Sequence, residues 1–375
     1  MTPQVALPSL DFRAPPVAIV VPVFNSPALV RRCIEAVLRF TRGARLILID
    51  DASTDPAIAP LLASYADRAL VHGNPHNLGY TRSCNLGIEL AGSADIVLLN
   101  SDTEVGPRWL QRLRLTAYAE AAIGTVTAVS DNAGAFSVPE IEQYCPIPPC
   151  WDLVQAQRAL LHGAFGCLPE LPTGNGFCMY VKRELFEQVG VLDAEAFPAG
   201  YGEENDLCQR AARAGLRHVI AGDVLVRHAR SASFGEERRR TLGAQGMTVL
   251  RARYPQYEAD VGATLFSSAR RELEARVRAI YAAATPTAAP LARVLALPPQ
   301  RPPPGYESFS WNDELDRLDG ANLRNWLART AIEAIYAAGE DPVSPVLLAA
   351  ARGADVEIVA SARELAAVAP IGGVP

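Results

Sequence analysis

The sequence lacks several signatures that would have fixed its class at once. Its seven cysteines (33, 84, 145, 150, 167, 178 and 208) are odd in number, irregularly spaced and without a CxxC pair. That argues against a zinc finger and against a disulfide framework. Cys145 and Cys150 are the pair to consider for a bridge, and buried free thiols are the expected state. No stretch of about 18 residues is apolar and uncharged, so no membrane-spanning helix is expected. The N-terminal MTPQVALPSLDFRAPP has no basic region followed by an apolar run, so no signal peptide is expected. These absences predict a reduced, cytoplasmic chain, with peripheral contact at the inner face of the cytoplasmic membrane left open. There is no GxGxxG after the first apolar run, no GxxxxGK[ST] and no GxSxG. A dinucleotide fold, a P-loop enzyme and an α/β-hydrolase are therefore disfavoured. Positive charge is also short: 35 Lys and Arg against 41 Asp and Glu give −6. Nucleic acid and anionic lipid are poor main partners for such a chain. A phosphate-bearing ligand stays open, because one metal ion reverses the local field.

What is present is ordinary globular material. The 375 residues are 49% apolar and 20% charged, enough for a real core and for two to three domains. Residues 1–16 hold four prolines and read as a tail. VAIVVPV (17–23) is the continuous β-branched run of a buried parallel strand. Ser26-Pro27 predicts an N-cap with proline at the first helical position. Val30, Cys33, Ile34, Val37 and Leu38 follow at helical spacing. Strands at 45–49, 69–72 and 95–99 alternate with helices at 56–66 and 79–91. Short β-α connections of this kind call for right-handed crossovers and a mostly parallel sheet with helices on both faces. Ligands in such sheets bind at the carboxyl ends of the strands.

Further on, 107–119 reads as helix, 124–129 as strand, 131–150 as loop, 177–181 as strand and 183–189 as helix. A carboxylate cluster marks a helix start in 201–214, and 219–226 leads to His228. Residues 241–284 read as a helical extension. Seven prolines in 285–306 read as a linker. Residues 307–375 are Ala-rich, mostly helical and without a chemical motif.

Four polar groups follow apolar strands. Asp50 and Asp51 can accept from a base N–H or a ribose hydroxyl, or simply form a turn. Asn100-Ser101-Asp102 delivers a carboxylate where Mg²⁺ or Mn²⁺ takes one or two carboxylates plus substrate phosphates. Glu203-Glu204-Asn205-Asp206 crowds three acids into one helical turn. There they suit the helix dipole, and a carboxylate there can also deprotonate an attacking hydroxyl. His228 is a structural residue or an imidazole ligand for the same metal. Asn77-Leu78-Gly79-Tyr80, with Arg82, offers backbone N–H groups and a guanidinium to phosphate, or is a plain helix start.

The set resembles the inverting family 2 glycosyltransferases of GT-A fold. The resemblance is carried by VVPVFN (20–25), LIDDASTD (48–55), NPHNLGYTRSCNLGI (74–88), DIVLLNSDTEV (95–105), TGNGFCMYVKRELFEQVGVLD (173–193) and YGEENDLCQRAARAG (201–215). They fall in family order over about residues 17–235 and look most like bacterial rhamnosyl- and galactofuranosyltransferase-like members. The resemblance implies an α/β domain of GT-A type over 17–240, followed by a helical C-terminal extension. It implies a nucleotide-diphospho-sugar donor, a hydroxyl of a glycan or glycoconjugate as acceptor, and a divalent cation (Mg²⁺ or Mn²⁺). Pro22 and Asp51 match positions near the nucleotide base. Val23, Asn25, Asp50, Asn77, Gly79, Arg82, Asn100 and Ser101 complete the expected donor side.

Asp102 matches the last, metal-binding acid of the D-x-D motif, and His228 a late metal or diphosphate contact. Glu204 matches the general base, with Asp206 as a rival catalytic carboxylate. Gly174, Asn175 and Glu203 are expected toward the acceptor. Two positions depart from the pattern: Asn100 replaces the first D-x-D acid, and the base position carries the longer Glu204. A non-catalytic sugar-nucleotide or glycan-binding module is the alternative reading, and a nucleotidyltransferase a further rival. The latter usually needs a Gly-rich basic loop where VPVFNSPALV stands.

Overall fold

The computed structural model describes residues 15–229, 236–287, 289–338 and 343–370. The expected tail at 1–16 lies almost wholly outside the described residues. One eight-stranded sheet dominates, in the order β3-β2-β1-β4-β7-β6-β8-β5. Its strands are β1 (Val17–Val23), β2 (Ala44–Asp50), β3 (Ala69–Gly73), β4 (Asp95–Leu99), β5 (Thr103–Glu104), β6 (Ile123–Ser130), β7 (Cys178–Val181) and β8 (Arg217–His228). The pairs β1/β2, β2/β3, β1/β4 and β6/β8 are parallel, whereas β7 and β5 run antiparallel to their neighbours.

The helices are α1 (Pro27–Phe40), α2 (Ile58–Ala63), α3 (Tyr80–Leu90), α4 (Trp109–Ala117), α5 (Leu153–Gly163), α6 (Arg183–Val189) and α7 (Glu203–Arg213). Strand pleat sorts them onto two faces. Ile19, Val21, Leu46 and Leu48 pack with Cys33 and Ile34 of α1, Leu61 of α2 and Leu113 of α4. Their alternates Val20, Ile47 and Ile49 pack with Cys84 and Ile88 of α3, Leu185 of α6 and Leu207 of α7. This doubly covered, mostly parallel sheet is the expected architecture. Ser26 does precede α1, but in left-handed backbone (φ 57°) and with no side-chain cap. Its carbonyl instead accepts from Leu29 N and Val30 N. The seven cysteines are free thiols.

A helical extension follows, with α8 (Glu236–Arg253), α9 (Tyr257–Leu265) and α10 (Ser268–Ala282). The remainder departs from expectation. Instead of a linker and a helical region it holds β9 (Ala292–Ala296), β10 (Tyr306–Ser310), α11 (Asp313–Asp316), α12 (Gly320–Arg329), β11 (Ile332–Tyr336), α13 (Pro345–Gly353), β12 (Glu357–Val359) and α14 (Ala362–Val368). The four strands form a second sheet, β10-β9-β11-β12, parallel throughout. The strands are short, and Glu333 interrupts the apolar run of β11, so the pattern did not read as strand. That glutamate is 0% exposed because Arg158 of α5 neutralises it.

One buried histidine gives the fold a pH signature. His218 Nε2 donates to Cys208 O at 2.9 Å, so Nδ1 accepts from the Thr125 hydroxyl at 2.8 Å. Burial lowers its pKa from 6.5 to about 4. Between those values the unfolded chain binds the proton first, so stability falls as pH drops from 6.5 toward 4. The full contribution is roughly 3 kcal/mol. Denaturant midpoints across that window should fall in the wild type and fall less in His218→Gln.

Candidate active site

Pro22, Asp51 and Asn100-Ser101-Asp102, at or just past the carboxyl ends of β1, β2 and β4, reach one cavity of about 520 Å³. The turn into α3 is built around Asp51, which is 5% exposed. Its Oδ1 accepts from Leu78 N and Asn74 Nδ2, both at 2.8 Å, and its Oδ2 from Gly79 N at 2.9 Å. Two backbone amides and one side-chain amide thus hold the carboxylate rigidly. Gly79 (φ +88°) is required there: a Cβ would lie 2.3 Å from Pro198 O. Asn77 Nδ2 closes the turn on Asp51 O at 3.2 Å. Val23, Asn77 and Gly79 line the same cavity.

Three residues expected on the donor side are used elsewhere. Asp50 Oδ1 accepts from Ser53 N in a local turn. Asn25 Oδ1 accepts from Thr54 N and Asp55 N, tying the β1 and β2 loops together. Neither is among the cavity-lining side chains. Arg82 sits on the outer face of α3 and pairs with Glu195 at 2.8 Å.

Asp102 and His228, 126 positions apart, meet because β5 pairs with the end of β8 and sets Thr103 opposite His228. Asp102 Oδ1 lies 3.3 Å from His228 Nε2. Asp102 O accepts from Ala229 N at 3.0 Å. The imidazole stacks on Phe177 (5.5 Å, 13°), and its buried Nδ1 has no partner among the described residues; the His228 backbone N–H donates to Asp131 Oδ1 at 2.9 Å. Burial pushes the Asp131 carboxyl up. An oxygen and a nitrogen so placed suit adjacent positions on one cation, about 3 Å apart for ligands near 2.1 Å. Among the described residues no group of three or more His, Cys, Asp or Glu is arranged for a metal. The donor set fits a cation that takes its other ligands from phosphate and water. Asn100 Oδ1, in place of a carboxylate, accepts from Tyr80 OH at 3.3 Å.

The start of α7 carries the acids. Glu204 Oε1 accepts from Gly176 N at 3.3 Å, while its Oε2 is buried without a partner among the described residues. A Cβ at Gly176 would lie 2.7 Å from Tyr80 Oη, so this approach needs glycine. Glu203, expected to meet the acceptor, is 2% exposed and accepts from Gly202 N at 3.0 Å. Burial first, then the neighbouring Glu204, pushes its carboxyl well up. Asp206 is not in the cleft. It is 0% exposed and bound by Arg210 Nε (2.8 Å), Arg253 Nη1 (2.8 Å) and Tyr254 OH (2.7 Å). Two residues along a helix turn a side chain by about 200°, so Asp206 faces away from Glu204 and is a structural ion pair. Gly174 N is held by Cys208 Sγ at 3.1 Å and Asn175 N by Thr127 Oγ1 at 3.3 Å, and both residues border the cavity.

The family model Glycosyl transferase family 2 matches residues 18–190. The match covers the strands and helices from β1 to α6. The sequence is 26% identical over 239 residues to the O-antigen biosynthesis protein RfbC of Myxococcus xanthus (58% of this chain, 18% of the relative). It is 25% identical over 214 residues to the pre-mycofactocin glycosyltransferase of Mycobacterium tuberculosis (56% of this chain, 42% of the relative). The chain spans less than half the length of these curated relatives. The fold is similar to the mannosyltransferase PcManGT from Pyrobaculum calidifontis, solved in complex with GDP-Man and Mn²⁺. The TM-score is 0.50 at 19% identity, over 76% of this chain and 79% of that one. The architecture is of GT-A type.

The matched segment ends before Glu204 and His228, and the fold returns both to the same cavity. It also brings in residues the sequence did not single out. Tyr80 lies at the cavity, in the Asn-Leu-Gly-Tyr turn that could have marked it. Phe177 supports His228 from the N-terminal edge of β7. Tyr257 comes from α9, beyond the matched segment, and its hydroxyl meets Asn205 Nδ2. Nothing local to Tyr257 signals that contact.

Proposed function

We propose that the protein transfers a sugar from a nucleotide-diphospho-sugar to a hydroxyl of a glycan or glycoconjugate, with inversion. The observation that carries this reading is the convergence of Asp51, Asp102, His228 and Glu204, from four separate stretches, on one cavity beside the family 2 strands. Asp51 and Asn77 form the nucleotide end. Asp102 and His228 would hold a divalent cation, Mg²⁺ or Mn²⁺, which supplies charge neutralisation to the departing diphosphate. Gly174 and Asn175 border the acceptor side. Glu204 takes the proton of the acceptor hydroxyl, whose oxygen attacks the anomeric carbon opposite the leaving diphosphate. Synthesis of a surface polysaccharide or glycoconjugate at the cytoplasmic face of the membrane is the setting we infer. Among the described residues no helix is long and apolar enough to cross a membrane.

The test is a panel of sugar nucleotides, read by thermal stabilisation and nucleoside diphosphate release with and without Mn²⁺. One donor should stabilise the protein only with metal. Asp102→Ala should weaken that binding at least as much as losing an outer-shell partner does, about 10–100-fold, by calorimetry. Metal-independent binding in both proteins would remove the assigned cation site. Binding without any nucleoside diphosphate release would favour the non-catalytic module, for which Asn100 in the D-x-D position is the supporting feature.

A further inference from the structure

Two adjacent glutamates stand at the base of the cleft, and the cations nearby are engaged elsewhere. Arg210 and Arg253 both pair with Asp206. Glu203 is 2% exposed, and the groups that face it are Glu204 on its own helix and Tyr80 and Cys84 on α3. None of these supplies positive charge. Two neighbouring carboxylates, Glu203 buried and neither with a counter-ion among the described residues, do not both ionise; one keeps a proton. The geometry selects which one. Glu204 Oε1 already accepts from Gly176 N, and its Oε2 is buried without an assigned donor. Glu203 accepts from Gly202 N through Oε2 and lies within hydrogen-bonding reach of the Glu204 carboxyl.

We propose that Glu203 is a positioning residue: held as a neutral carboxylic acid, it donates its O–H to Glu204 and fixes Glu204 as the ionised member of the pair. This rests on reading Glu204 as the base. The arrangement resolves two difficulties at once. It supplies a donor to the buried Glu204 Oε2, and it removes the repulsion between the two carboxylates. When Glu204 takes the acceptor proton, the pair passes from one bound proton to two.

The variants Glu203→Gln and Glu203→Leu separate this role from a packing role. Gln keeps an N–H for Glu204 and an oxygen for Gly202 N, so it should rescue turnover to within a few-fold. Leu removes the donor and should lower kcat by about 10–100-fold, the usual worth of a hydrogen bond to a charged group, with donor KM unchanged. In Leu the acidic limb of the pH–rate profile should also move to higher pH. Equal losses in Gln and Leu, or wild-type kinetics in Leu, would overturn the proposal. A second measurement is independent of activity. The infrared difference between wild type and Glu203→Gln at pH 8 should contain a protonated carboxyl band, and its absence would also overturn the proposal. If the wild type releases no nucleoside diphosphate from any donor, the catalytic reading fails by itself. The infrared band then still decides whether Glu203 is neutral.

Discussion

Glu204→Gln lowers turnover by about 10²–10⁴-fold, the range that general-base assistance is worth, while donor affinity is retained. The substitution keeps the shape of the side chain and leaves an oxygen to accept from Gly176 N. It removes only the capacity to take a proton. Donor affinity is retained because the nucleotide end we propose, Asp51 and the 77–79 turn, is held by bonds in which Glu204 takes no part. The pattern to look for in steady-state kinetics is a fall in kcat and kcat/KM together, with donor binding by calorimetry unchanged. Asp206→Asn is the informative control. It weakens the bonds from Arg210, Arg253 and Tyr254, so it should reduce stability while the reacting groups stay in place. If Asp206→Asn lost turnover as Glu204→Gln does while remaining folded, the assignment of the base would be wrong.

The contrast between these two carboxylates marks the boundary of what the sequence discloses. Helical spacing alone says that Glu204 and Asp206 point apart, so only one can face the cleft. Which one depends on Arg253 and Tyr254, 47 and 48 residues further along the chain. No local pattern carries that information. The strands that build the site were legible for the opposite reason. A parallel strand buried on both faces is a continuous apolar run, so 17–23, 45–49 and 95–99 stand out, and the strand-end rule then locates the cleft. Asp102 and Asp51 follow directly. His228 was readable as a residue at a strand end, but its partnership with Asp102 needed the β5/β8 pairing of two two-residue segments.

Where the reading failed, the side chain had two uses to choose between. Arg82, Asn25 and Asp50 have the chemistry to meet a nucleotide, and each sits within a family-like stretch. The fold uses them for an ion pair and two loop closures. Helix α5 went unread although Asp152 and Gln155 form a capping box at its start, a pattern the sequence displays openly. The second sheet was hidden by composition. Prolines crowd the approach to β9 and β10, and β11 carries a glutamate in its middle, so neither looks like core.

Glu333→Ala should cost about 3–5 kcal/mol, the usual consequence of leaving a buried ion without its partner. Arg158 and Glu333 are 1% and 0% exposed, and two bonds join them: Nε to Oε1 at 2.7 Å and Nη2 to Oε2 at 3.0 Å. The alanine variant strands a guanidinium between the two sheets. Replacing both partners, Arg158→Met with Glu333→Leu, should recover most of the loss, because the pair contributes little beyond its own neutralisation. A small remainder should persist, since Arg158 Nη2 also donates to Pro370 O at 2.6 Å. The same face carries further arginines onto helix ends of the second sheet: Arg108 on Ala354 O at 3.0 Å and Arg42 on Ala367 O at 2.8 Å. Cations at helix C-termini are favoured, so this docking is built of charge from one side and helix polarity from the other. It also reaches the cleft. Gln157, beside Arg158, holds Leu225 N at 2.6 Å on the strand that ends in His228. Denaturant unfolding should therefore show one transition in the wild type, with the second sheet separating as an earlier transition in Glu333→Ala. A single, unshifted transition in that variant would mean that the two sheets are held together without the buried pair.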